Sequence, residues 1–177
     1  MRRVFRLIHE VAIARNEFVA LTKTVSEQEA AVRHSEHEWS VVDNTEHLFW
    51  AEQGGIYGMW KTLYAIRNGT AIRTYESIHK DWSIEKIIEE TWKEKEQVPA
   101  VAAPRLGGTL IFWTKSLLSL QPVLESFGND LKDDELRLQA HPHPISGAMD
   151  FQQRIEFLAF HIQRHKAQVQ SIIDKLK

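Results

Sequence analysis

The sequence contains no cysteine, and this absence limits the chemistry that the chain can carry. Without thiol side chains there is no disulfide bond, no catalytic thiolate and no cysteine-ligated zinc site. Any metal ion must therefore be held by histidine, aspartate or glutamate side chains. Because a chain without disulfides also suits a reducing compartment, we expect a cytoplasmic protein.

Long apolar runs and an excess of one charge are also missing. No stretch approaches the roughly 20 apolar residues that a membrane helix requires. The apolar pattern near the N-terminus is broken by His9, Glu10 and Arg15, unlike the core of a signal peptide. The 22 basic and 24 acidic residues nearly balance, and no Lys/Arg run is dense enough to favour a phosphate backbone. We therefore expect neither a membrane nor a nucleic acid as a partner.

Helical periodicity dominates what the sequence does contain. With 177 residues, 43% of them hydrophobic, the chain can build a proper core, and we expect residues 1–177 to form a single domain. No segment alternates as a strand does, and a shorter helical segment is expected over residues 84–94. The longer apolar stripes cover residues 4–24, 40–67, 109–127 and 150–176. This pattern predicts an all-α four-helix bundle with a long crossover between the second and third main helices.

Two of these helices have clear start signals. Ser40 with Asp43 three residues later is typical of a capping box at the start of the second main helix. Asp150 with Gln153 predicts a similar arrangement at the start of the last one. Inside the third main helix, Pro122 predicts a kink or a restart, because its ring removes one hydrogen bond.

Two histidines near the end of the chain, His161 and His165, share one helix face because they are four residues apart. His165 lies in the apolar seam of the last helix, where an imidazole needs a hydrogen bond, a metal or solvent. The spacing matches that of the zinc-peptidase motif H-E-x-x-H, but Ile162 occupies the position of the general-base glutamate, so a peptidase is not expected. The residues alone leave two interpretations: a pair of hydrogen-bonded core histidines, or two metal ligands that need a third from elsewhere.

His47 is the histidine that lies well inside the second main helix. On a helical wheel it falls outside the densest apolar arc and shares its side with Asp43, Ala51, Gly54 and Gly58. Periodicity alone therefore places His47 near the surface. The small residues on that side would either admit a neighbouring helix or leave a cavity.

Two stretches together resemble the DinB/YfiT-like superfamily. The segment WSVVDNTEHLFWAEQ, residues 39–53, is similar to its W-S-x-x-[EDN]-x-x-x-H-L motif. The closing pattern of that superfamily, an H-P loop followed by H-x-x-R-H-x-x-Q, is matched by His143, Pro144, Gly147, His161, Arg164, His165 and Gln168. Residues 70–140 match only in general character.

The resemblance implies a four-helix bundle in which three histidines bind a divalent metal, Zn²⁺ or Ni²⁺, with open positions for water. By position, the three ligands are His47, His161 and His165. Gln168 and Asp43 are candidates for orienting them, Asp43 by accepting the free N–H of His47. The implied activity is that of a metal-dependent enzyme that activates a thiol or water, as a thiol-dependent S-transferase or a hydrolase. Its partners would be a small-molecule substrate and a low-molecular-weight thiol.

A second class of function stays open at this point. The chain could be a non-catalytic, stress-associated helical bundle in which the histidines are structural or the metal only cross-links the fold. A homodimer is compatible with either class, because many helical bundles associate through apolar helix faces.

Overall fold

The structure, a computed structural model, describes residues 1–92 and 98–176. Within these ranges the chain forms helices and no β-strand, which confirms the prediction of an all-α protein. The helices are α1 (Arg3–Thr22), α2 (Glu27–Ala30), α3 (Val41–Arg67), α4 (Ile84–Thr91), α5 (Leu110–Asp130) and α6 (Phe151–Leu176), with a 3₁₀ turn at Asp133–Glu135.

The predicted start signals of α3 and α6 are confirmed. The Ser40 hydroxyl accepts the Asp43 amide at 3.0 Å, and the Asp43 carboxylate accepts the Ser40 amide at 2.8 Å. At the start of α6, the Asp150 carboxylate accepts the Gln153 amide at 2.8 Å, and the Gln153 side chain accepts the Asp150 amide at 3.1 Å. These reciprocal bonds satisfy amide groups that the first turn of a helix cannot pair internally.

Each of the four long helices packs mainly against two others. Helix α1 lies along α6 and α5, and α3 lies along the same two helices from the other side. The space between them is filled by apolar side chains with almost no exposed surface, among them Val11, Phe18, Leu48, Met59, Leu117, Leu124, Phe127, Ile155 and Ile162. Burial of this apolar stripe holds the helices together.

Helix α5 differs from its prediction, because it runs without interruption through Pro122 and ends at Asp130. Pro122 lies on the exposed side, while Leu117 and Leu124 on either side of it are fully buried. Packing therefore outweighs the missing hydrogen bond. The helix also continues past Gly128 to Asp130. Gly128 faces α1, and a glycine is required there because a Cβ would collide with the side chain of Ile8.

Residues 68–109 connect α3 to α5 and include α4, which packs on α6. Ser83 caps α4 as its position suggests, and the helix ends at Thr91, before the predicted end. Residues 93 and 94 of the predicted segment lie outside the described residues. Among the helices of residues 1–92 and 98–176, none is both apolar and long enough to cross a lipid bilayer.

Candidate metal centre

Three histidines from two helices meet in the interior. His47 projects from α3, and His161 and His165 lie one turn apart on α6. The Nε2 atom of His161 lies 3.2 Å from that of His47 and 3.1 Å from that of His165. One ring nitrogen from each residue lies within 4.8 Å of the other two, and all three side chains are buried.

The remaining ring nitrogens of two of these histidines are held by acceptors. Nδ1 of His47 lies 2.8 Å from the carbonyl oxygen of Ala102, and Nδ1 of His165 lies 2.8 Å from the side-chain oxygen of Asn44. The amide nitrogen of Asn44 donates to the carbonyl of Ser40 at 2.9 Å, which fixes its oxygen toward the histidine. Because both partners only accept, both imidazoles carry their proton on Nδ1.

It follows that Nε2 of His47 and of His165 each present a lone pair to the cluster. His161 can supply at most one N–H through its own Nε2, so at least one lone pair has no donor within the cluster. A buried acceptor without a donor is unfavourable, and a cation bound by the three nitrogens would remove this cost. The donor set therefore fits a divalent metal ion.

The protonation states of the three histidines also suit a metal. Burial lowers the pKa of His161 and His165 well below the usual value, and their proximity to His47 lowers it further. Burial lowers the pKa of His47 as well, against a smaller opposing effect of its bond to Ala102. Neutral imidazole is the form that binds Zn²⁺ or Ni²⁺, and here it is the stable form at neutral pH.

The loop that supplies the Ala102 carbonyl is anchored by Glu46, the neighbour of His47. The buried Glu46 carboxylate accepts the backbone amides of Arg105, Leu106 and Gly107 at 2.8 to 2.9 Å. Since Glu46 and His47 are adjacent on α3, one turn of the helix fixes both the loop and the imidazole that the loop orients.

Aromatic rings cover part of the cluster. The indole of Trp39 lies 5.0 Å from the ring of His47 and 6.2 Å from that of His165, centroid to centroid. Phe157 stacks on His161 at 5.3 Å, and Trp92 meets His161 edge-on at 6.2 Å. These apolar faces lower the local dielectric and restrict water around the three nitrogens.

A cavity of about 930 Å³ adjoins the cluster and includes all three histidines in its wall. The loop around Ala102, the residues Ala51 and Gly54 of α3 and the side chain of Gln168 also border it. Three protein ligands beside an open cavity are typical of catalytic metal sites, whereas structural sites are usually closed by a fourth protein ligand.

The sequence model of the DinB superfamily matches residues 10–169 of the chain. The chain belongs to the DinB superfamily. A crystal structure described as the conserved protein of locus from Enterococcus faecalis has a similar fold, with a TM-score of 0.54 over 97% of this chain and 95% of that chain. The two sequences are only 13% identical, so this likeness concerns the fold alone. No curated protein matches the chain.

The two residues that we expected to orient the ligands do not bind the ring nitrogens of His47 and His165 in this DinB-superfamily chain. The Asp43 carboxylate caps α3 and pairs with Arg33 at 2.6 Å, while the N–H of His47 meets Ala102 instead. Gln168 borders the cavity, but both ring nitrogens of His165 are engaged by other groups. The Asp43 expectation was wrong because an N-terminal cap draws its carboxylate toward the free amides of the first turn.

The expected exposure of His47 was also wrong, since its side chain is 4% exposed. Trp39 and the loop at Ala102 cover His47, and because both lie outside α3 the apolar periodicity of that helix could not predict these contacts. The side of α3 that carries Ala51 and Gly54 faces the cavity, in agreement with the expectation that small residues on this side leave a cavity. His143, from the H-P loop, mainly forms a turn, because its Nδ1 accepts two backbone amides.

Sequence reasoning missed Asn44 and Glu46, which orient the cluster through a hydrogen bond and through the anchored loop. Asn44 precedes His47 by three residues and therefore shares its side of α3, a spacing that could have identified it. Glu46 also accepts from Trp50 one turn later, but the three loop amides that give it its role lie about 60 residues away in the chain.

Proposed function

We propose that this DinB-superfamily chain is a divalent-metal-dependent enzyme whose ligands are His47, His161 and His165. Its four long helices would form the four-helix bundle expected from the sequence, with residues 68–109 as the crossover. The preferred metals are Zn²⁺ or Ni²⁺, and the reaction is transfer of a thiol to a small electrophilic substrate or hydrolysis of such a substrate. We place this activity in the cytoplasm, and a homodimer is compatible with it.

The observation that carries this proposal is the convergence of three neutral imidazoles beside a cavity. Two of them direct a lone pair into the cluster, and at least one lone pair has no donor. Imidazole nitrogens without a thiolate or carboxylate leave the full double charge on a divalent ion. Such an ion, when bound, supplies a Lewis acid that makes a water or a thiol more acidic.

The chain's own residues would hold the reactants. Ala102 and Asn44 fix the rotation and the tautomer of two imidazoles, so the donor atoms are preorganised. Trp39 and Phe157 flank the cluster and limit the water that competes with a substrate. The adjoining cavity, about 930 Å³, is of the size that takes a small organic molecule.

The first experiment measures metal content. The protein is purified without a histidine tag, dialysed against trace metals and examined by elemental analysis. We expect about one Zn²⁺ or Ni²⁺ per chain, lost in His47→Ala, His161→Ala and His165→Ala. His9→Ala, which removes an exposed histidine on α1, is the matched control and should keep the metal. Stoichiometric metal in all three cluster variants would contradict the proposal.

The second experiment separates an enzyme from a metal-stabilised bundle. Apo and metal-loaded protein are compared for conjugation of a low-molecular-weight thiol with chlorodinitrobenzene and for hydrolysis of nitrophenyl acetate. We expect turnover that requires the metal and disappears in His161→Ala. A large fall in melting temperature on chelation, with no turnover in either assay, would instead identify the metal as a structural cross-link.

A further inference from the structure

Arg154 on α6 is a buried cation that lacks an anionic partner. Its side chain is 4% exposed and borders the cavity. One terminal nitrogen, Nη2, donates to Nε2 of His141 at 2.7 Å, while Nε and Nη1 are buried and have no hydrogen-bond partner. Within residues 1–92 and 98–176, none of the ion pairs involves Arg154. A buried guanidinium in this state is costly unless something else neutralises it.

His141 adds another unused donor at the same place. Because Nε2 of His141 accepts from Arg154, its proton resides on Nδ1, which is buried and also has no partner. All the unpaired nitrogens of these two side chains are therefore N–H donors. The complement of a set of donors around one positive charge is an oxyanion.

Gly58 of α3 makes room for the ring of His141, whereas a Cβ at Gly55 would be in ordinary contact with Arg154. A Cβ at Gly58 would lie 2.5 Å from ring atoms of His141, and one at Gly55 would lie 3.6 Å from Nη2 of Arg154. Each glycine in the middle of a helix costs roughly 1 kcal/mol relative to alanine. The close approach at Gly58 shows that the ring of His141 occupies the space of a side chain on α3.

The charge at this end of the cavity matches a single negative group. Burial lowers the pKa of Arg154 to about 10, so the guanidinium is still charged at neutral pH. Burial and the neighbouring Arg154 lower the pKa of His141 to about 4, and burial, Arg154 and His141 lower that of His143 to about 3. Both imidazoles are thus neutral, and one carboxylate balances the one remaining charge.

The position of Arg154 relates this charge to the three-histidine cluster. Arg154 and His161 are seven residues apart on α6, two turns along one face, which places their Cα atoms about 10 Å apart. Phe157 lies between them, with the guanidinium 5.7 Å from its ring centre and the ring of His161 stacked 5.3 Å away. The wall between the two ends of the cavity is therefore apolar.

We infer that Arg154 and His141 form a carboxylate subsite, and that the substrate is a small carboxylic acid. Its carboxylate would meet Arg154, an apolar segment would lie along Phe157, and the reacting group would reach the histidine cluster. The part of this inference that brings the reacting group to the histidine cluster rests on the proposed function. Binding of a carboxylate by Arg154 and His141 in the cavity does not depend on a metal at the histidine cluster.

The test uses hexanoate as the probe on the full-length, metal-free protein, with hexan-1-ol as the uncharged analogue. Isothermal titration should show saturable hexanoate binding, with hexan-1-ol and inorganic phosphate at least about tenfold weaker. Arg154→Met should weaken hexanoate binding roughly 10- to 100-fold, the range expected for hydrogen bonds to a charged group. Arg164→Gln, which removes another cation of the cavity wall, is the matched control and should bind as the wild type does.

A second readout guards against a variant that has merely misfolded. Arg154→Met removes a buried, unpaired cation but also the donor to Nε2 of His141, and because these two effects oppose each other the variant should melt at a temperature close to that of the wild type. Unchanged hexanoate affinity in Arg154→Met, phosphate binding as strong as hexanoate binding, or a markedly lower melting temperature would each overturn the inference.

The same titration on His161→Ala keeps the two proposals distinct. If the chain proves unable to bind a metal but hexanoate binding depends on Arg154, the proposed function fails and the subsite stands. If metal binds and hexanoate does not, the subsite fails and the metal centre stands. We expect His161→Ala to lose the metal and to keep most of its affinity for hexanoate.

Discussion

Arg15 and Glu52 form a buried ion pair between α1 and α3, and its removal should reveal how the long helices are held together. Nη2 of Arg15 lies 2.5 Å from a carboxylate oxygen of Glu52, and the side chains are only 1% and 0% exposed. Arg15 also donates to Gln121 of α5, so the guanidinium connects three helices. The Nε atom of Arg15 and the second carboxylate oxygen of Glu52 have no partner.

We predict that Glu52→Met and Arg15→Met each destabilise the fold, by roughly 3–5 kcal/mol, because each leaves an uncompensated buried charge. Glu52→Met should cost more. Burial raises the pKa of Glu52, although Arg15 opposes this, so an unpaired Glu52 can escape by taking up a proton. An unpaired Arg15 cannot lose its proton at any ordinary pH. The double variant should lie near the wild type, or above it by roughly 1–4 kcal/mol, because both charges leave together.

Urea unfolding at pH 7, with midpoints compared at equal slopes, measures the four free energies of unfolding in this double-mutant cycle. The exposed pair Lys166–Glu17, with a nitrogen–oxygen distance of 2.7 Å, is the matched control and should give a coupling below roughly 1 kcal/mol. The reasoning fails if the double variant loses the sum of the two single losses, or if either single loss is under about 1 kcal/mol.

Three further predictions concern the surroundings of the histidine cluster. Glu46→Gln should cost at least about 2 kcal/mol in chemical unfolding, because an amide cannot accept the three loop amides equally; an unchanged midpoint would argue against the anchor. Asn44→Ala removes a ring acceptor and should weaken metal binding roughly 10- to 100-fold in competition with a chelator, and equal affinity would refute this role. Gly58→Ala should cost roughly 1–3 kcal/mol by displacing His141, whereas Gly54→Ala, with no atom within 4 Å of the added Cβ, should be neutral or slightly stabilising; equal effects would contradict the packing argument.

The elements of the fold that the sequence predicts best are those with local causes. Apolar spacing located the four long helices, and the pairs Ser40–Asp43 and Asp150–Gln153 marked two of their starts to the residue. The course of α5 through Pro122 was not predictable from its own residues, since the packing of its buried side against other helices decides it.

In the candidate site, too, residues with local causes were predictable and those that depend on distant contacts were not. His161 and His165 were identifiable as a pair because four residues on a helix set their relative position. His47 could be assigned only through the resemblance, because its burial depends on Trp39 and on a loop more than 50 residues further along. The unpaired state of Arg154 could not be predicted, because it depends on which side chains the fold places around its guanidinium group.

The three histidines come from distant parts of the chain, since His161 follows His47 at a sequence separation of 114. A cation held by them would join these parts as a cross-link does, and closing so long a loop removes much of the freedom of the unfolded chain. During synthesis, a chain that has not yet reached His161 offers only one of the three ligands. Binding of a cation by all three histidines would therefore require α6 to have been made, and it would be coupled to the packing of α6 against α3.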